Sequence, residues 1–283
     1  MSATRVEPIT GPVTFHGEGP VWSERWGGLR WVDMLAGDVL SLGEGGDVER
    51  RHIATVAAAL RPRRDGGAVI GVERGFALED PDGTITLLPE LWSGEDIRMN
   101  DGGCDPDGRF YCGSMAYDDR PGAGSLFRLD VDGGVHRVLR DVTISNGLDW
   151  SPDGGLAYYN DTPTSRISVF DYDRDAGLTA MRTFVEIDPA DGYPDGLTVD
   201  VQGGIWVALY GGGEVRRYTA EGRLDVTITV PVTKPTACAL APGGELFITT
   251  TREGLPEEAE PLAGSLFRVE VGVEGRPARE FAG

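Results

Sequence analysis

The residues in this chain best suited to chemistry are oxygen-bearing side chains set in short intervals between apolar strands. Glu18 stands in Gly17-Glu18-Gly19-Pro20, a carboxylate between glycines that let the backbone come close to whatever it holds. Asn146 lies in Ile144-Ser-Asn-Gly-Leu just before a turn that begins at Trp150, and Asp195 lies in Tyr193-Pro-Asp-Gly-Leu just before one that begins at Val199. The two therefore occupy matching phases. Asn-Gly and Asp-Gly are also the commonest hairpin turns. Here, however, each is followed by leucine, a strand and a separate turn, and two turns so close together would be redundant. On this pattern a pair of turns and a pair of ligands both stay open. Arg98-Met-Asn100-Asp101-Gly-Gly precedes the turn at Cys104 in the same way. It offers either a substrate-facing arginine and two polar side chains, or an ion pair at the surface worth at most about 1 kcal/mol.

Local catalytic motifs are missing: there is no G-x-S-x-G elbow, P-loop or H-E-x-x-H, and Gly211-Gly-Gly lacks the dinucleotide fingerprint. His52 and His136 sit in arginine-flanked strand patterns and read as surface residues. His16, two positions before Glu18, is a candidate to support a ligand from behind.

A repeated turn supplies the framework that must bring such distant residues together. Trp22-Ser-Glu-Arg-Trp-Gly-Gly, Leu60-Arg-Pro-Arg-Arg-Asp-Gly-Gly, Cys104-Asp-Pro-Asp-Gly, Trp150-Ser-Pro-Asp-Gly-Gly, Val199-Asp-Val-Gln-Gly-Gly and Leu240-Ala-Pro-Gly-Gly each lead into a strand of aromatic and aliphatic residues. With Ser23, Arg63, Asp105, Ser151, Asp200 and Ala241 as markers, the steps are 40, 42, 46, 49 and 41 residues. Each step accommodates four short strands, the spacing of propeller blades. Ala123-Gly-Ser-Leu-Phe-Arg returns as Ala263-Gly-Ser-Leu-Phe-Arg, and Ile205-Trp-Val-Ala-Leu is apolar on both faces, as a sheet packed between two others requires. The expectation is an all-β, six-bladed β-propeller forming a single domain over residues 1–283, in which loops far apart in sequence converge on a central channel.

Composition agrees. Apolar residues make up 40% of the 283, and 42 glycines and 18 prolines punctuate them. A formal charge of −20, with Lys234 the only lysine, disfavours nucleic acid and anionic membrane as partners. No apolar leader opens the sequence and no run is long enough to span a bilayer, so the expected location is cytoplasmic, as monomer or dimer. Three cysteines, Cys104, Cys112 and Cys238, fit buried thiols better than a disulfide framework.

From about Gly17 to Thr251 the chain resembles the gluconolactonase, senescence marker protein 30 and regucalcin family. The resemblance rests on Gly-Glu18-Gly-Pro-Val-Trp, Arg98-Met-Asn100-Asp101-Gly, Ser-Asn146-Gly-Leu-Asp-Trp-Ser-Pro-Asp-Gly and Pro-Asp195-Gly-Leu-Thr-Val-Asp, in order and spread over four blades. It implies that Glu18, Asn146 and Asp195 bind one divalent metal ion and that Arg98 and Asn100 contact a sugar lactone. Where the family often carries a substrate-facing glutamate after Gly-Ser-Met115-Ala, this chain has Tyr117-Asp118, and Asp118 is the nearest match.

Two carboxylates and an amide are hard donors that leave open positions, which suits calcium, magnesium, manganese or iron(II) better than a structural zinc, with zinc itself kept among the candidates. The implied activity is metal-dependent hydrolysis of the lactone to its sugar acid, with Asp195 both ligand and general base. Two alternatives stand beside it: a hydrolase of other lactones or organophosphate esters, and a metal-binding propeller without catalysis.

Overall fold

The computed structural model describes residues 5–256 and 258–283, so the polar start at Met1–Thr4 lies outside the described residues. Six four-stranded antiparallel sheets form the blades of a β-propeller. From the inside outward, blade 1 is Gly17–Ser23, Gly28–Asp33, Asp38–Leu42 and Val48–His52. Blade 2 is Ala57–Pro62, Ala68–Val72, Gly75–Glu79 and Ile85–Leu87. Blade 3 is Ile97–Cys104, Phe110–Ala116, Gly124–Leu129 and Val135–Val142, and blade 4 is Ser145–Trp150, Leu156–Asp161, Arg166–Asp173 and Gly177–Glu186. Blade 5 is Tyr193–Val199, Ile205–Tyr210, Glu214–Tyr218 and Leu224–Thr229. In blade 6, Pro235–Leu240, Glu245–Thr250 and Phe267–Glu270 are completed by Glu7–Pro8 from the other end of the chain. That pairing fastens the ring shut.

The repeated turn is the hairpin between the inner and second strands of every blade, and the residues that marked its phase build it. Asp105 Oδ1 accepts from the amides of Asp107 and Arg109 at 3.0 and 2.9 Å, and Asp200 Oδ1 accepts from Gln202 and Gly204 at 2.9 and 2.8 Å. Ser151 Oγ accepts from Leu156 N at 3.0 Å. Such side-chain bonds replace the ladder where the chain reverses. Gly108, Gly154 and Gly203 follow in the left-handed region, with φ of 83°, 78° and 81°.

Between blades the faces are dry. Ile205, Trp206, Val207, Ala208 and Leu209 are all fully buried, as a strand covered on both sides must be. Trp31 and Trp206 in second strands and Trp150 at the end of an inner strand are the largest fully buried side chains. The second Ala-Gly-Ser-Leu-Phe-Arg copy enters the third strand of blade 6 as the first does in blade 3. All three cysteines are free and buried. No helix among the described residues is long and apolar enough to cross a membrane.

Candidate active site at the channel mouth

Every inner strand carries the same irregularity. Its register against the second strand slips by one residue, between Glu18 and Val21, Ala57 and Ala59, Met99 and Gly102, Ser145 and Leu148, Pro194 and Leu197, and Pro235 and Ala237. A bulge of this kind re-aims a side chain. Counted from the strand partner, Glu18, Ala58, Asn100, Asn146, Asp195 and Thr236 form one ring of equivalent positions. Neighbouring inner strands pack directly on one another around the axis, so the ring is closed.

Asn146-Gly147 and Asp195-Gly196 are therefore strand bulges and not hairpin turns. Their glycines are there for close approach. A Cβ on Gly147 would come within 2.6 Å of Leu197 N, and one on Gly196 within 2.4 Å of Ala237 Cβ. The segments leading into the inner strands are pinned too. Asp33 Oδ1 accepts from the amides of Phe15 and His16 at 3.1 and 2.9 Å. Asp161 does the same for Thr143 and Ile144, at 3.2 and 2.9 Å.

A cavity of about 300 Å³ opens where the inner strands begin. Glu18, Arg98, Asn100, Asn146 and Asp195 all line it, each at most 5% exposed. Two of their oxygens, Asn146 Oδ1 and Asp195 Oδ1, are buried without a hydrogen-bond partner among the described residues. Glu18 Oε2 accepts only the neighbouring Gly19 amide, at 2.9 Å. Among the described residues no three His, Cys, Asp or Glu side chains form a metal cage. The donor set here consists of two carboxylates and one amide oxygen, and orphaned hard acceptors of that kind fit a divalent cation.

Burial, aggravated by Asp101, pushes the Glu18 carboxyl up to about 8. Asp195 is raised well above the carboxylate range by burial and then by Glu18 and Asp101, against the lowering effects of the Gly196 amide and Asn146. Asp101 itself is raised by burial and opposed by Arg61. Three buried acids in one channel with so little internal compensation are held ready for positive charge.

Arg98 is fixed by contacts on several sides. Its Nη1 donates to Asn100 Oδ1 at 2.6 Å, to Met99 O at 3.1 Å and to Met34 Sδ at 2.9 Å, and its guanidinium lies 5.8 Å from the Tyr117 ring centroid. Asn100 Nδ2 in turn donates to Ser145 O at 2.9 Å. Asn100 thus spends both ends of its amide on orientation. Burial lowers the Arg98 pKa, and Glu253, Tyr117 and Glu18 oppose that effect.

Asp118 does not reach the cavity. Its side chain is 61% exposed and pairs with Arg120 at 3.2 Å. The chain turns after Ala116, Asp119 adopts a φ of 55°, and it is the Asp119 carboxylate that lines the cavity, where burial raises its pKa. The acid that lines the cavity is thus Asp119, one residue beyond the expected Asp118.

The remaining wall was not legible as site. Thr162, Tyr210 and Glu253 line the cavity from the ends of the second strands of blades 4, 5 and 6 or just beyond them. His16, which lines it as well, places Nδ1 2.9 Å from Glu253 Oε2 and 3.1 Å from Thr251 Oγ1, and the His16 hydrogen bond lowers the Glu253 pKa. Only a shared blade phase could have pointed to these residues.

The fold and the site together define a six-bladed propeller with an oxygen-donor centre at one mouth of its channel. The chain belongs to the SMP-30/gluconolactonase/LRE-like family, whose model matches residues 16–252. It is 34% identical to regucalcin of Danio rerio, with all of both chains covered. Among solved structures it is similar to a calcium-binding protein, regucalcin, of Agrobacterium tumefaciens, at 30% identity and a TM-score of 0.91 over 99% of this chain and 97% of that one. A gluconolactonase of Xanthomonas campestris superposes with a TM-score of 0.77 at 26% identity, over 95% of this chain and 90% of that one.

Proposed function

We propose that this chain hydrolyses a sugar lactone to the corresponding sugar acid, with one divalent cation held by Glu18, Asn146 and Asp195. The observation that carries the proposal is the pair of buried, partnerless oxygens, Asn146 Oδ1 and Asp195 Oδ1, in the same cavity as Glu18. When bound there, a divalent cation supplies the positive charge that polarises an ester carbonyl and makes water more acidic. The membership of the family and the likeness to a gluconolactonase support the reaction class.

The chain's own residues then divide the work. The Asp195 carboxylate takes a proton from the attacking water, which a cation held beside it would make acidic enough to give that proton up. Water adds to the carbonyl carbon, the ring C–O bond breaks, and the ring oxygen leaves as a hydroxyl by taking up the proton that Asp195 received from the water. Arg98, held by Asn100 and covered by Tyr117, presents a fixed guanidinium to the lactone's oxygens. Asp119 and Glu253 add acceptors for sugar hydroxyls around the wall.

The test is acid release from a panel of aldonolactones at constant pH, in protein stripped with EDTA and then resupplied with calcium, magnesium, manganese, iron(II) or zinc. Acceleration that depends on the ion supports the proposal. Cation binding with no acceleration of any lactone or ester would leave a metal-binding propeller in its place.

A further inference from the structure

The inner strands end at a second cavity, of about 80 Å³, on the side of the ring opposite the candidate active site. Residues 274–283 cross it and touch every blade. Gly275 N donates to Ala241 O of blade 6 at 3.0 Å, and Arg276 Nε to Val199 O of blade 5 at 2.9 Å. Arg279 Nη2 donates to Ser151 O of blade 4 at 3.0 Å, and Ala282 N to Gly108 O of blade 3 at 2.9 Å. Phe281 N donates to Pro62 O of blade 2 at 2.8 Å, and Arg25 Nη2 of blade 1 donates to Glu280 at 3.0 Å.

The charge in this rear cavity runs against that of the whole chain. Among the described residues, Arg61, Arg276 and Arg279 line it with Asp149 as the only carboxylate, in a protein of formal charge −20. Arg276 is committed, since its Nη2 reaches both Asp149 oxygens at 2.9 and 2.8 Å. Arg61 donates one bond, to Leu60 O at 2.7 Å, and its charge also acts on buried Asp101 without a hydrogen bond to it. Arg279 Nε is buried with no hydrogen-bond partner among the described residues. A guanidinium carries five N–H donors, so Arg61 and Arg279 keep most of theirs without a partner among the described residues, and the buried Arg279 Nε is costly unless something accepts from it. The space is several times the roughly 10–15 Å³ that one water needs. It has room for a tetrahedral anion.

We propose that the rear cavity is a binding site for a small tetrahedral oxyanion of the phosphate class, held by Arg61 and Arg279, with Arg276 adding charge while it stays paired to Asp149. The site does not rest on the lactonase reading. Its occupancy would fasten residues 274–283 to the ends of the inner strands and stabilise the closed ring by linkage.

The experiment compares inorganic phosphate with chloride at equal ionic strength, by thermal unfolding and by calorimetric titration of the full chain. EDTA is present throughout, so that no cation at the front cavity can carry phosphate. Phosphate is expected to raise Tm above chloride and to titrate a single site. Arg61→Gln and Arg279→Gln should each weaken it by about tenfold or more, the loss of one charge-assisted hydrogen bond. Asp149→Asn removes the competing carboxylate and should tighten it, an effect in the opposite sense from simple destabilisation. Absence of a phosphate-specific rise in the native sequence would overturn the site, as would affinity unchanged in both arginine variants. Should those variants fail to fold, Asp149→Asn decides: tighter phosphate binding supports the site, and equal or weaker binding overturns it.

Discussion

Asn146 Nδ2 donates to Thr162 Oγ1 at 2.9 Å, and Thr162 Oγ1 spends its own hydrogen on Pro194 O, also at 2.9 Å. With that hydrogen committed, the hydroxyl can only accept from Asn146, so the amide's NH₂ end faces Thr162 and Oδ1 faces the cavity. One threonine on blade 4 thereby sets the orientation of Asn146 against the strand that carries Asp195.

Thr162→Val should consequently weaken divalent-cation binding by about 10- to 100-fold, the usual cost of losing an outer partner of a metal ligand, with the fold retained. Calorimetric titration with calcium or manganese measures it. Unchanged affinity would mean that Asn146 is not a ligand, or that its orientation is set elsewhere.

Glu18, Asp195 and Asp101 give the cation-free protein a pH-dependent stability of definite sign. Each carboxyl is raised in the folded state, so the folded form binds its proton more tightly than the unfolded chain. Their contribution is complete below the ordinary carboxylate range and is lost as pH rises through the raised values, for Glu18 between 4.5 and about 8. In EDTA, Tm should fall from pH 5 to pH 9, by an amount equivalent to a few kcal/mol. Saturating cation should flatten the fall, and cation binding near neutral pH should release protons, seen as a dependence of the heat on buffer ionisation. A flat profile in EDTA, or a cation effect independent of pH, would contradict the charge assignment.

Arg98 is held as a planar fork, through Asn100 and beneath Tyr117, and lysine cannot reproduce that geometry. Both Arg98→Ala and Arg98→Lys are expected to lower kcat/KM on the preferred lactone by about 10²-fold or more, the scale of a misplaced positioning group. Cation affinity should stay within a few-fold of the original. Loss of the ion along with activity would put Arg98 in the cation site instead.

Asp118 and Asp119 are adjacent in sequence, but the first faces solvent and the second lines the cavity. Asp119→Asn should raise KM for the lactone by about tenfold, equivalent to about 1.4 kcal/mol, whereas exposed Asp118→Asn should leave steady-state kinetics within about twofold. The reverse pattern would mean that the turn after Ala116 opens in solution.

The contrast between these neighbours shows where sequence reading stops. Blade number and phase were legible because Asp105, Ser151 and Asp200 open the same turn at a regular spacing, each carbonyl accepting from the glycine amide three residues on. Asn146 and Asp195 were legible as a matched pair because both stand at one bulge of an inner strand, although the bulge itself, and the equivalence of Glu18 and Asn100, emerged only from strand register. Asp119 was not, since which of two consecutive acids faces inward depends on a φ of 55° in a turn with no glycine to announce it. Thr162, Tyr210 and Glu253 come from three different blades, and no local spacing links them. The rear arginines escaped notice for the same reason: Arg61 and Arg279 meet only after the chain has closed on itself.

The most direct measurement is the initial rate of hydrolysis of one preferred aldonolactone by the native sequence and by Asp195→Asn, each before EDTA, after EDTA and after return of the cation. The native rate should fall to the spontaneous rate in EDTA and recover with the cation, while Asp195→Asn should stay near the spontaneous rate throughout. A native rate indifferent to EDTA, or an Asp195→Asn protein that keeps most of its turnover, would contradict a single cation-dependent centre built on Glu18, Asn146 and Asp195.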